Sequence, residues 1–252
     1  MPSQDAAMSP ADRREQLKLL YAQAQTCVRC AELAATRQKV VFGAGNADAG
    51  LMFVGEAPGA SEDEQGVPFV GQAGKLLEKL LLEIGMARAD VFIANTLKCR
   101  PPANRDPLPA ELENCKEYLY RQVELIQPNV ICTLGNFATK LLRDDPAGIT
   151  RVHGQPEVVV LGRRAVRLYP IFHPAAALYT PRMLDTLRED FSRLPDLLAL
   201  GPPDQPEWPP EPDIPQPAEV DTESPGADGN RASAPETPSG ASPSPQDQLD
   251  LF

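Results

Sequence analysis

The sequence predicts an α/β fold in which a mostly parallel central sheet is covered by helices on both faces. Two observations predict it. Short apolar runs bounded by Gly, Pro and Asn alternate with segments of helical period. The first 200 residues also have the size of one such domain. A third observation bears on function: Glu56, Asn95 and His173 each stand at or just past the carboxyl end of a predicted strand. Ligands collect at such ends in this architecture.

The elements follow in chain order. Asp12 to about Gln25 reads as a helix with Leu17, Leu20 and Tyr21 on one face and Ser9 or Asp12 near its start. Cys27-Val-Arg-Cys30 precedes a short apolar helix. Leu51–Val54 is a buried strand that gives way to the loop Gly55-Glu-Ala-Pro-Gly59. Gly74 to about Ile84 is helical through Leu76, Leu77, Leu80 and Leu81, and Val91–Ala94 is a second strand. A Pro-rich loop, Arg100–Pro109, leads into a helix over about Ala110–Ile126. Asn129–Leu134 is a third strand and Ala138–Leu142 a helix. Glu157–Leu161 and Ala165–Leu168 form a hairpin around Gly162, and Tyr169–Phe172 runs to His173-Pro174. One last helix covers about Pro181–Leu200.

The 252 residues hold 24 Lys+Arg and 35 Asp+Glu, a net charge of −11. Such a balance argues against a phosphate-binding partner, but the charge is unevenly spread. Residues 201–252 carry eleven acids and one base, Arg231, which leaves −1 for residues 1–200. The same tail holds 13 of the 28 prolines, and its aromatics are Trp208 and Phe252. Low apolar content with high charge cannot offset chain entropy, so 201–247 is expected to be a disordered linker behind a domain at 1–200. There is no long apolar run for a membrane span and no apolar core of a secretory signal near Met1, which predicts a cytoplasmic protein, expected to be monomeric.

In that compartment five cysteines suggest a metal site or free thiols. Cys27 and Cys30 are separated by two residues, whereas Cys99 and Cys115 flank the Pro-rich loop. An iron–sulfur cluster, a zinc ion and free thiols all remain open from spacing, the wide second pair disfavouring zinc. Cys132, inside the third strand, reads as a core residue.

Gly55-Glu-Ala-Pro-Gly59, the run from Glu62 to Gly71, Asn95-Thr-Leu-Lys-Cys-Arg-Pro-Pro102, Asn104-Arg105, Cys115 and His173-Pro-Ala175 occur in linked order. Through them, about residues 12–195 resemble a family 4 uracil-DNA glycosylase. The resemblance implies a three-layer α/β/α fold, removal of uracil from DNA, and a [4Fe-4S] cluster on Cys27, Cys30, Cys99 and Cys115. It also implies that the backbone of Gly55, Glu56 and Ala57 lines the uracil pocket. Phe69 would then stack on the base, Asn95 read its polar edge and His173 face its O2. An amide pairs a donor with an acceptor, which suits the N3–H and O4 of uracil and mismatches cytosine. In the best-known glycosylase family an Asp orients the attacking water where Ala57 stands here, so the general base is open. Glu56, Glu62 and Asn104 are the candidates to position water or substrate.

DNA contacts are expected from Ser61, Gln72, Lys75, Lys98, Arg100 and Arg105 near the strand ends. After the His-Pro turn, Leu178 or Tyr179 would wedge into the vacated base site while Arg182 binds phosphate. Bland roles stand beside each of these: Phe69 as core, Glu56 and Glu62 as solvated or capping groups, Asn95 as a turn former, His173 as a structural imidazole, His153 as a loop residue. The final Gln248-Leu-Asp-Leu-Phe252 resembles the peptide with which bacterial proteins engage the replicative sliding clamp, through Gln248, Leu249, Leu251 and Phe252. Two rival functions are a non-catalytic, redox-sensing iron–sulfur DNA-binding protein and the uracil-capturing subfamily that bonds to DNA. The latter carries a Gln in the first motif and a basic insertion, neither of which is present.

Overall fold

The computed structural model describes residues 8–207. Most of the expected linker and the whole 248–252 motif lie outside the described residues.

The first helix, α1 (Pro10–Gln25), opens with the Ser9 side chain accepting from the Asp12 amide, with Pro10 at its first position. After α2 (Ala31–Thr36) the chain makes a two-residue strand, β1 (Ala44–Gly45), that the apolar pattern gave no sign of. β2 (Leu51–Gly55) is wholly buried and runs into α3 (Ala60–Gln65) and α4 (Gln72–Glu83). β3 (Phe92–Asn95) follows, then the Pro-rich loop and α5 (Pro109–Ile126). β4 (Val130–Leu134), α6 (Asn136–Arg143) and α7 (Ile149–Val152) lead to the hairpin β5 (Glu157–Leu161) and β6 (Arg164–Ile171). α8 (Pro174–Ala177), α9 (Pro181–Ser192) and α10 (Leu194–Ala199) complete the domain.

Six strands lie in the order β1-β3-β2-β4-β6-β5 among the described residues. The four central strands are parallel, and β1 and β5 join antiparallel at the edges. Strand side chains alternate between faces, which divides the core in two. Met52, Val54, Phe92, Ala94 and Ile131 pack with α1 and α5 residues such as Leu17, Tyr21 and Leu119. Leu51, Phe53, Ile93, Val130 and Cys132 pack on the other face with Leu77, Leu80, Leu187 and Phe191. The fold is the expected three-layer α/β/α sandwich, and Cys132 is the core residue that its strand position implied.

Two expected boundaries differ. The run Tyr169–Phe172 is no separate element, because β6 continues unbroken to Ile171 through Pro170. The proline is tolerated there because β5 pairs β6 only as far as Leu168, so its missing N–H leaves no ladder bond unmade on that side. The single helix over 181–200 is two helices, since Pro195 has no N–H for the carbonyl of Phe191 one turn earlier.

Candidate active site

β2 and β3 end side by side, with Gly55 in register with Asn95, and the continuing chain is pinned to them. Thr96 and Leu97 donate backbone N–H groups to the carbonyls of Gly55 and Glu56. Beyond these ends opens a cleft of about 380 Å³. Glu56, Ala57, Phe69, Asn95, Asn104 and His173 all line it, with Gly59 and Glu62 of the α3 entry. The three polar groups singled out at strand ends therefore converge on one cavity.

Asn95 is 1 % exposed, and its Oδ1 is buried with no hydrogen-bond partner among the described residues. A buried acceptor left open costs about 1–3 kcal/mol, which a ligand N–H supplied in the cleft would recover. Gly55 keeps room beside it. A Cβ on that glycine would lie 2.5 Å from Asn95 Oδ1 and 2.7 Å from the Phe69 ring. Gly55→Ala is therefore expected to leave a folded protein whose KM for substrate rises at least about tenfold, because the methyl occupies the space between amide and ring. Steady-state kinetics with thermal unfolding as the control measures this.

His173 caps α8 with its own ring, the Ala175 amide donating to Nδ1 at 3.1 Å. Burial pulls this imidazole down to about 4. It is neutral at physiological pH, and because Nδ1 is the acceptor the proton sits on Nε2. The ring stacks against Phe69, with centroids 5.6 Å apart and planes at 28°. Burial, with the Asp106 carboxylate nearby, pushes Glu56 above the usual carboxylate range.

Glu62 takes the capping role rather than standing free. Its Oε2 accepts from the Gly59 amide at the start of α3, and its Oε1 accepts from Val70 and Gly71 at 3.0 and 2.9 Å. The carboxylate thus orders the loop that carries Phe69. Asn104 sits at the cleft mouth, in the left-handed region at φ 53°, its Oδ1 accepting from Arg100 Nε at 2.8 Å.

Two basic residues expected at DNA have partners within the protein. Lys98 is 2 % exposed, with Nζ bonded to the Asn95 carbonyl and to Gln122 Oε1, so no phosphate can reach it. Arg105 spans Glu32 of α2 and Glu111 of α5, its guanidinium engaged by both carboxylates. It braces the loop between Cys99 and Cys115. Gln72 and Lys75 are exposed and Ser61 partly so, none of them in the cleft lining. Tyr179 is 88 % exposed on the turn between α8 and α9, with Leu178 before it and Arg182 in the first turn of α9. His153 lies outside the cleft lining, its Nδ1 3.1 Å from Asp190 Oδ2 and its ring against Phe172.

Cys27, Cys30, Cys99 and Cys115 line one small pocket closed by Leu33, Leu97 and Tyr118. Three donors point at sulfur: Arg37 Nη1 to Cys99 and the Lys98 amide to Cys115, both at 3.3 Å, and Asn114 Nδ2 to Cys30 at 3.6 Å. Burial pushes the Cys115 thiol up to about 11 and raises that of Cys99. Among the described residues no group of three or more His, Cys, Asp or Glu side chains is arranged to hold a metal ion.

Sequence reasoning missed Arg88, on the short turn Arg88–Asp90, whose guanidinium donates to the carbonyls of Pro68 and Phe69. No local signal marks it, because its partners lie some twenty residues earlier.

A cleft at the carboxyl ends of parallel strands, with a buried acceptor open toward it, defines an α/β protein that binds a small ligand at its sheet edge. Comparison with known proteins narrows the class. The profile of the Uracil DNA glycosylase superfamily matches residues 42–194. The type-4 uracil-DNA glycosylase of Archaeoglobus fulgidus is 44 % identical over 187 residues, covering 73 % of this chain and 94 % of the relative. Those of Sulfurisphaera tokodaii and Saccharolobus solfataricus are 44 % and 42 % identical, covering 68 % and 75 % of this chain and 80 % and 89 % of theirs. The chain belongs to the uracil-DNA glycosylase superfamily, in its type-4 branch.

Proposed function

We propose that the protein is a DNA repair glycosylase that hydrolyses the N-glycosidic bond of deoxyuridine and leaves an abasic site. The observation that carries this reading is the buried, unpartnered Asn95 Oδ1 in a cleft also lined by Phe69 and by His173, a neutral donor. Incubation with uracil-containing and thymine-containing oligonucleotides, followed by alkaline cleavage, tests it. Uracil-dependent cutting is expected, and its absence overturns the reading.

A base inside a duplex must be extruded before it can enter such a cleft. There Phe69 stacks on the ring, and the amide of Asn95 meets N3–H and O4 together. As the glycosidic bond breaks, electrons pass to the base and charge grows on O2. The Nε2–H of His173 is the donor for that charge, which stabilises the transition state more than the ground state. Water then adds to the sugar carbon. Glu56 is supported as the group that orients it, since it lines the cleft and burial makes it a better proton acceptor than a free carboxylate. Glu62 is the weaker candidate, its oxygens being taken by backbone amides. Leu178 and Tyr179 would fill the vacated stack, with Arg100 and Arg182 on phosphates.

The four-cysteine pocket supports a [4Fe-4S] cluster held by Cys27, Cys30, Cys99 and Cys115. A cubane spreads its thiolates over four irons and so needs wider spacing than one ion, and N–H groups aimed at sulfur are the usual surroundings of such clusters. Its role would be structural, ordering the loop at 100–109. Cys115→Ser is expected to lose iron and acid-labile sulfide in equal amounts and to melt several degrees lower, by metal analysis and calorimetry. Unchanged iron content would sink this assignment.

Among the described residues no helix is long and apolar enough to cross a membrane. The terminal Gln248, Leu249, Leu251 and Phe252 support a tether to a bacterial sliding clamp in the cytoplasm, through the acidic stretch before them. Calorimetry of a 240–252 peptide and of the full chain against the clamp tests this, silence from both refuting it.

A further inference from the structure

Phe69 and the imidazole of His173 are the aromatic rings among the described residues that line the cleft, and the Phe69 backbone is in a conformation that bulky residues avoid, at φ 53°. Such a residue stays put only where its surroundings over-determine it. Three restraints do so here. Glu62 accepts from the two amides that follow it, Val70 and Gly71. The Phe69 carbonyl lies where a Cβ on Gly74 would be, 1.8 Å away, so the loop rests directly on the first turn of α4. Arg88 supplies the third restraint, with Nη1 3.2 Å from the Phe69 carbonyl and Nη2 on that of Pro68.

Glu62 and Arg88 thus grip one loop from opposite sides. The carboxylate takes its N–H groups, and the guanidinium takes its carbonyls. The guanidinium's planar fork suits two adjacent acceptors, which an ammonium meets with a single point charge. Arg88 itself is absent from the cleft lining, so whatever it does for a bound base it does through Phe69.

We infer that Arg88 is a positioning residue for base recognition: it locks the Phe69 backbone so that the ring is preset as the stacking face opposite Gly55 and beside His173. This rests on the uracil-pocket reading above. Stacking acts on bound base and transition state alike, so its loss raises KM and leaves kcat nearly unchanged.

The test uses the full-length protein, a single-stranded uracil oligonucleotide and free uracil as inhibitor. Arg88→Met is expected to raise KM and the uracil inhibition constant together by roughly fivefold to tenfold, the lower part of the stacking range. Arg88→Lys, which keeps the charge and one donor, should fall between it and wild type. In a Phe69→Ala background Arg88→Met should add less than about twofold, because the two act through one ring. If Arg88→Met unfolds, the Arg88→Lys comparison alone and on Phe69→Ala carries the same test. The inference is overturned if Phe69→Ala weakens uracil binding while the Arg88 variants match wild type, or if the two effects multiply in full. If Phe69→Ala changes nothing, the stacking reading falls and takes this inference with it.

Discussion

Asn95→Asp is expected to lower kcat/KM on uracil-containing DNA by about 10³-fold or more. In the proposed uracil pocket the native amide would offer a donor to O4 and an acceptor to N3–H from a buried position at the end of β3. A carboxylate there has acceptors only, so O4 would be left facing a lone pair. It would also oppose the negative charge that builds on the departing base. Sites built to hydrogen-bond a substrate reject mismatched partners by about 10⁴–10⁵, and loss of one transition-state donor alone costs about 10²–10³. The new acceptor suits the exocyclic amine of cytosine, so the ratio of uracil to cytosine excision should also fall. Single-turnover assays on matched oligonucleotides measure both. Excision of uracil within about tenfold of wild type would remove Asn95 from the recognition role.

His173→Ala should lower kcat by about 10²–10³-fold while KM moves little, since the donor acts on charge that appears only as the bond breaks. The pH dependence gives a sharper check. The ring is neutral in the folded protein down to about 4, so no fall in rate from its protonation is expected between pH 8 and 5. An imidazolium mechanism would instead lose rate as pH rises through the ordinary value of 6.5. Stability carries the same signature. The folded-state pKa is depressed, so between pH 6.5 and about 4 the unfolded chain binds a proton that the folded chain does not. Its contribution is full above pH 6.5 and declines as pH falls toward 4. The difference in unfolding free energy between wild type and His173→Ala should shrink across that window. A difference constant with pH would contradict the neutral assignment.

Much of the domain was legible because the signals are local. Leu51–Val54 and Asn129–Leu134 are apolar runs too short for helices, and each became a parallel strand buried on both faces. Glu56, Asn95 and His173 were marked by their place at strand ends, and the parallel sheet brings those ends to one edge. β1 was not legible, since two residues of pairing leave no periodic trace. The break before α10 was visible in Pro195, but leucine-rich sequence on both sides reads as one helix.

The sequence by itself determined the α/β/α order, the split between a near-neutral domain and an acidic tail, and the residue types that meet in the cleft. Tertiary structure alone decided what those residues do. Glu62 caps backbone amides, Lys98 is buried against Gln122, Arg105 is held by two carboxylates, and Arg88 grips the Phe69 loop. His173 is neutral with its proton on Nε2 because burial and the Ala175 amide make it so. The physical reason is one of range. Periodicity and punctuation act over a few residues and survive in the linear chain. Desolvation and hydrogen-bond pairing depend on which distant segments the fold brings into contact.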